Sequence, residues 1–346
     1  MLRRLGFALP ALAAIGTVHA GTLRKIWDFD AGAPGVYALS FSPDGRHVAA
    51  VVGPSRDKEF VLVLDAGDPR ATMRRLDINP KSLSVSISWS PSSQQIMIAN
   101  TRVRLQDGRT CSLSDATGLP SFVSEDRLAG GINRTITPRT GNKPAIAQLF
   151  LNVFDSDCQS AGVPDIAIRG IFDTSADRGL ICVRLGTQTV IMDAFSKIVL
   201  REFPSLRGSV RFAESGRSIC GAVGPEWQVS VSCLDMDTAK ELATTREFTY
   251  LEVKASLHAR RVVLSNYGRK FDFIEFGWGL ASLKQRIVWD FGTKKELVAW
   301  SPKSQTLITS DRPLGWSQPY TFDISPDGDY IVEGGAGTVS LYRIEP

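Results

Sequence analysis

Five aspartates, Asp65, Asp155, Asp193, Asp235 and Asp290, each end an apolar run and precede a short polar turn. Carboxylates are the groups of acid–base chemistry, and glycoside hydrolysis needs only two of them. Their placement points elsewhere. They occur once in each of five similar segments, always at a strand end, where an Asp side chain accepts hydrogen bonds from the backbone of its own turn. Only two histidines, His47 and His258, follow the N-terminal segment, and both stand beside turns. Imidazole catalysis and a multi-histidine metal site therefore have almost no material. The chain holds no Gly-x-Ser-x-Gly elbow, no His-Glu-x-x-His, no phosphate loop and no Asp-rich calcium loop. No cofactor and no metal is expected. Asn133-Arg134-Thr135 fits the glycosylation acceptor pattern, but such matches are common by chance and no glycan is expected.

The elements that hold these residues repeat. In "ALSFSPDGRHVAAVV" (38–52), Pro43 pre-sets the first central position of a tight turn, Asp44 suits the second, and Gly45 takes the positive φ that closes it. The flanking apolar runs are then antiparallel neighbours. The same frame recurs around Trp89, Phe122, Phe172, Phe212, Leu257 and Ile324, which makes seven copies. Each of the first six is followed by a second hairpin, the one that ends in Asp or, in the second copy, turns at Asp107-Gly108. One unit is therefore four antiparallel strands. A period of about 40 to 50 residues with four strands per unit is the pattern of a β-propeller. Runs such as "VAAVV" and "IMIA" are continuously apolar because each sheet packs on neighbours through both faces. A β-sandwich does not call for seven copies of one turn frame, and no helix-length amphipathic segment supports an α/β fold.

The expected fold is thus all-β, a seven-bladed propeller, with eight blades as the alternative. Trp300 resembles an eighth start but leaves only 24 residues before Ile324, too few for four strands, so it is assigned to the last strand of the sixth blade. The final copy supplies three strands, and "TLRKIWDF" (22–29) has no blade of its own. It is expected to complete the seventh blade beside 338–345 and close the ring.

Composition agrees with a folded chain, at 43% hydrophobic and 22% charged residues. Residues 1–20 pair Arg3 and Arg4 with an apolar stretch and end Val-His-Ala, the pattern of a secretory signal cleaved after Ala20. The stretch is shorter than the roughly 20 residues a membrane span needs. The expectation is a propeller of residues 21–346, exported to the periplasm or the outside, with no membrane span. Without the two signal arginines, the 40 basic and 36 acidic residues leave a balance near +2, too neutral to argue for nucleic acid.

The Ser-Pro-Asp-Gly turns at Pro43 and Pro326 and the "WDFGTKKEL" hairpin resemble those of WD-repeat-like propellers, especially the exported bacterial kind. Trp-Asp itself occurs only at Trp27-Asp28 and Trp289-Asp290, and no Gly-His precedes the blades. The resemblance implies a fold more than a function.

Function is expected to be binding or scaffolding without catalysis, toward another protein or a cell-surface glycan. The alternative is an exported enzyme acting on polysaccharide or peptide through carboxylates that converge only in three dimensions; a third possibility is a subunit docked in an envelope complex. Strand alternation puts second-to-third loops and inter-blade connections on one face, and that face receives the long insertions. They bring Tyr267, Arg269, Trp278, Arg312, Trp316, Tyr320, Arg134 and Arg139, residue types that dominate binding hot spots. The alternative reading has Trp278 and Trp316 packing within the insertions themselves. Five cysteines leave at least one unpaired. Cys220 and Cys233 lie on consecutive strands and are either bridged or two buried thiols.

Overall fold

The protein is described by a computed structural model that covers residues 21–345 except 55–57, 79–85, 114–115, 117–119, 138–145, 163–164, 226–227, 249–250, 274–277 and 302–320. At 137, 146, 208, 251 and 266–284 it describes the backbone alone.

Seven four-stranded antiparallel sheets follow one another along the chain. Blades 1 to 6 occupy 35–76, 87–112, 121–168, 170–203, 207–244 and 251–300. Blade 7 takes three strands from 321–345 and its outer strand, Thr22–Asp30, from the other end of the chain. That strand pairs with Thr338–Glu345 from Thr22 opposite Glu345 to Asp30 opposite Thr338. Ring closure is thus as the strand count demands, and Trp300 ends the outer strand of blade 6. The only described helical turn is a 3₁₀ segment, Glu214–Gly216.

The core is a set of inter-blade layers, one for each of the seven interfaces. The run His47–Gly53 shows how a continuous apolar strand serves two of them. Val48, Ala50 and Val52 pack toward blade 7 with Val332, Val339 and Leu341. Ala49 and Val51 pack toward blade 2 with Trp89, Ile96 and Ile98. Alternate side chains leave opposite faces of a strand, so a strand covered on both sides must be apolar at every position.

The recurrent turn is a compact hydrogen-bonded unit. Ser42 N–H donates to the His47 carbonyl at 2.9 Å, His47 N–H returns to Ser42 Oγ at 2.9 Å, and Gly45 N–H donates to the Ser42 carbonyl at 2.9 Å. Ser325, Tyr330 and Gly328 repeat the three bonds at 2.9 Å each. These two turns stand next to each other, because the first and last blades meet: a Cβ on Gly45 would lie 3.7 Å from Pro326.

Two disulfides are formed, and Cys182 is the remaining, buried thiol. Cys220 and Cys233 are directly opposed in neighbouring strands of blade 5 and bonded to each other. Cys111 bonds Cys158, tying the outer strand of blade 2 to the turn that follows the third strand of blade 3.

Candidate functional site

The strand-end aspartates do not converge. Asp65 Oδ1 accepts from Gly67 N–H at 2.7 Å, Asp155 Oδ1 from Gln159 N–H at 2.9 Å, and Asp193 Oδ1 from Ser196 N–H at 2.7 Å. Asp235 Oδ1 accepts from Thr238 N–H at 2.7 Å, and Asp290 Oδ1 from Thr293 N–H at 2.9 Å. Each belongs to a different blade and caps its own turn. The Ser196 backbone bond lowers the pKa of Asp193, and the Thr238 hydroxyl lowers that of Asp235. The histidines are equally separate. His47 lies over Trp89 with ring centroids 6.4 Å apart, and His258 Nδ1 is 2.8 Å from Ser215 Oγ.

The blade 3 and blade 6 insertions are extended strands over their described residues, where the sequence reading expected loops, and the insertion between blades 6 and 7 lies at 302–320, outside the described residues. In blade 6, Arg261–Phe273 and Trp278–Asp290 are 13 residues each, against 6 for their counterparts Leu180–Leu185 and Gln188–Asp193 in blade 4. At 3.3 Å per residue, seven extra residues reach roughly 23 Å past the blade. The flanking strands stop at Leu251 opposite Asn266 and at Trp300 opposite Arg286. Among the described residues, the two long strands from Tyr267 onward pair only with each other. Tyr267 stands opposite Leu283, Arg269 opposite Ala281, and Trp278 opposite Phe273. Blade 3 repeats this on a smaller scale: Asn133 to Thr137 pair with Leu149 to Ile146, while the outer strand engages only Leu149 to Leu151. Arg134 is on this second ribbon, exposed, with its guanidinium 5.8 Å from the centre of the Phe150 ring. Arg139, Arg312, Trp316 and Tyr320 lie outside the described residues.

A constellation that sequence reasoning missed lines the axis. Two residues before the first, wholly buried turn residue of each blade (Ser42, Ser90, Val123, Ser175, Ala213, Ser256, Ser325) comes one position of the innermost strand. In blade order these positions are Ser40, Ser88, Ser121, Asp173, Arg211, Lys254 and Asp323. Several reach the next blade by one rule. The side chain in one blade accepts the N–H of the residue that follows the equivalent position in the next: Phe122 N–H to Ser88 Oγ at 3.1 Å, Phe212 N–H to Asp173 Oδ2 at 2.8 Å, and Phe41 N–H to Asp323 Oδ2 at 2.9 Å. Arg211 reaches back, donating to the Phe172 carbonyl at 2.6 Å. Burial raises the pKa of Asp173 and Asp323, opposed by the attraction of Arg211 for the first and of Lys254 for the second.

Ser40, Ser88, Ser121, Asp173 and Asp323 border an axial cavity of about 220 Å³. Its other edge is made by first-to-second turns, at Pro43, Pro91, Ala176, Asp177, Leu257 and Pro326. It therefore lies toward the face opposite the two ribbons. Among the described residues, no group of three or more His, Cys, Asp or Glu is placed to hold a metal ion, and no helix is long and apolar enough to cross a membrane.

Fold and axis together define a seven-bladed β-propeller of four-stranded blades. Solved structures similar to it include the Cps50 (Swd1) β-propeller domain of Myceliophteria thermophila, at TM-score 0.59 and 13% identity, with 93% of this chain and 99% of that one covered. Another is the mitotic checkpoint complex, at TM-score 0.61 and 15% identity, with 99% and 100% covered. Both similar structures are WD40 β-propellers, and at this identity the likeness is one of fold. No protein-family model matches the chain, and no curated protein does.

Proposed function

We propose that this is an exported, non-catalytic propeller that binds a partner protein through the face bearing its two ribbons. The observation that carries the reading is the blade 6 ribbon, which continues some seven residues beyond any other described strand of its blade. A paired ribbon that projects from the ring carries Tyr267, Arg269 and Trp278, residue types that anchor interfaces. Arg134 lies on the blade 3 ribbon, and Arg139, Arg312, Trp316 and Tyr320, of the same residue types, belong to the insertions of the sequence but lie outside the described residues. Two disulfides support export, since they persist in oxidising compartments. One of the similar structures is of a multiprotein assembly, the mitotic checkpoint complex, which supports a binding role for the fold.

The test replaces 267–283 by an Asn-Gly turn joining Asn266 to Lys284, and compares affinity capture from the native exported fraction with the parent. Loss of a captured protein by a folded shortened variant supports the reading. Retention of every parent partner by that variant overturns it, and capture of glycan alone replaces the protein partner with a cell-surface one.

A further inference from the structure

The tip of the second hairpin of blade 4 is apolar at positions where its counterparts are not. Seven large apolar side chains are exposed among the described residues, and four stand together here: Phe195 at 50%, Ile198 at 61%, Val199 at 41% and Leu200 at 53%. The turn is built like that of blade 5. Asp193 N–H donates to the Ile198 carbonyl at 3.0 Å and Lys197 N–H to the Asp193 carbonyl at 2.9 Å. In blade 5, Asp235 N–H to the Lys240 carbonyl and Ala239 N–H to the Asp235 carbonyl are the same two bonds, at 2.9 Å each. Asp193 Oδ1 accepts from Phe195 and Ser196 N–H, as Asp235 Oδ1 does from Asp237 and Thr238 N–H. Phe195, Ile198 and Val199 therefore stand where blade 5 has Asp237, Lys240 and Glu241, and blade 6 has Gly292, Lys295 and Glu296. The turn's own hydrogen bonds do not call for apolar side chains. Leu200 matches Leu242 and Leu297, which pack against inter-blade layers, but is itself left half exposed.

A cationic pocket adjoins this tip. A cavity of about 220 Å³ between blades 3 and 4 is bordered by Phe195, Lys197, Arg127, Val153 and the buried Asn152. Both charged residues on its border are basic. Lys197 Nζ donates to Asp165 Oδ1 at 2.7 Å, whereas the Arg127 guanidinium has no hydrogen bond or ion pair among the described residues. Val199 opposes Met192, whose side chain packs between blades 3 and 4, so Val199 leaves the sheet on the side of the pocket. No residue from 194 to 201 is acidic. Apolar side chains beside a free guanidinium complement an amphiphile with an anionic head. The four side chains expose roughly 400 Å², about half of the roughly 800 Å² per partner of a standard protein interface, so the patch is too small to hold a second copy by itself. At a lipid interface, affinity grows with any apolar area inserted and with attraction to anionic headgroups.

We propose that this tip docks on an anionic phospholipid surface, with Phe195, Ile198, Val199 and Leu200 in the boundary between headgroups and acyl chains and a lipid phosphate in the pocket bordered by Arg127 and Lys197. Third-to-fourth turns lie on the face opposite the ribbons. The proposal is thus independent of the binding role given to the ribbon face, and docking leaves the ribbons directed away from the lipid.

Flotation of residues 21–346, which hold all seven blades without the apolar segment 1–20, tests it with vesicles of phosphatidylcholine alone or mixed equally with phosphatidylglycerol. The triple variant Phe195→Gly/Ile198→Lys/Val199→Glu gives blade 4 the residues that blade 6 carries at this turn and leaves the net charge unchanged. Circular dichroism confirms its fold. The parent should bind the mixed vesicles more tightly than phosphatidylcholine alone. The triple variant should bind them at least about tenfold more weakly. Arg127→Gln should lose about fivefold, as one basic side chain near an anionic surface implies. No vesicle binding by the parent, or equal binding by the parent and either variant, overturns the proposal. A dimer or a captured protein that the triple variant abolishes, with no vesicle binding, also overturns it and assigns the tip to a protein surface.

Discussion

Arg286 in the third strand of blade 6, wholly buried, donates from Nη1 to Glu333 Oε1 in the second strand of blade 7. Trp300 Nε1 donates to the same carboxylate oxygen at 3.0 Å, and the Arg286 guanidinium lies 4.2 Å from the centre of the Phe322 ring. A buried ion pair gains little over apolar packing, but removing one partner leaves the other charge uncompensated. Glu333→Ala is therefore expected to destabilise the protein by about 3–5 kcal/mol, and the double variant Arg286→Met/Glu333→Leu by much less. Denaturant unfolding of both against the parent checks this.

The Cys111–Cys158 bridge spans 47 residues and the Cys220–Cys233 bridge 13. Loop-closure entropy assigns them about 4 and about 3 kcal/mol respectively. Cys111 is partly exposed whereas Cys220 and Cys233 are wholly buried. Under native conditions dithiothreitol should open Cys111–Cys158 first, as read by alkylation and peptide mass mapping. The Cys111→Ser/Cys158→Ser pair should lower Tm more than Cys220→Ala/Cys233→Ala.

The twin turns differ in tolerance although their hydrogen bonds match. Gly45 has φ +71° and its only neighbour for an added Cβ is Pro326 at 3.7 Å. Gly328 has φ +78°, and an added Cβ would approach Arg261 Cδ to 2.9 Å and Ala259 Cβ to 3.1 Å. Left-handed backbone costs a non-glycine residue about 1–2 kcal/mol. Gly45→Ala should lose about that much, and Gly328→Ala more, because Arg261 donates to the Gly328 carbonyl at 2.9 Å and must shift. Thermal unfolding of the two variants ranks them.

Asp173 and Asp323 have folded pKa values raised by burial. Between the unfolded and folded pKa the native carboxyl holds a proton that the unfolded one has lost, so its contribution to stability is full below the unfolded value, about 3.9, and falls as pH rises through the folded value. Asp323→Asn should thus be at its best relative to the parent at pH 7 and lose that advantage as the pH approaches 4. Asp193 and Asp235 have lowered values, so their contribution is present above the unfolded pKa and lost as pH falls through the folded one. Asp193→Asn should therefore cost stability at pH 7 and much less at pH 3. Urea unfolding at three pH values separates the two classes.

What the sequence by itself determined here is short-range. The Ser-Pro-Asp-Gly turn and the Asp at each strand end act over two to five residues, so Gly45 and Asp193 announce their roles locally, and counting such turns yields seven blades and the missing strand that Thr22–Asp30 supplies. The blade 6 insertion was visible as a long segment, but its continuation as paired strands was not, because cross-strand pairing in a ribbon is decided between residues up to 29 apart, such as Arg261 and Asp290. Only the tertiary structure decided the Cys111–Cys158 bridge, the Arg286–Glu333 pair and the axial ring. Ser40, Asp173 and Asp323 are inconspicuous in their own segments and share a cavity only because the ring closes. Local hydrogen bonds recur in every blade and can be recognised one blade at a time, whereas the environment at the axis is assembled from residues in many blades and belongs to none of them.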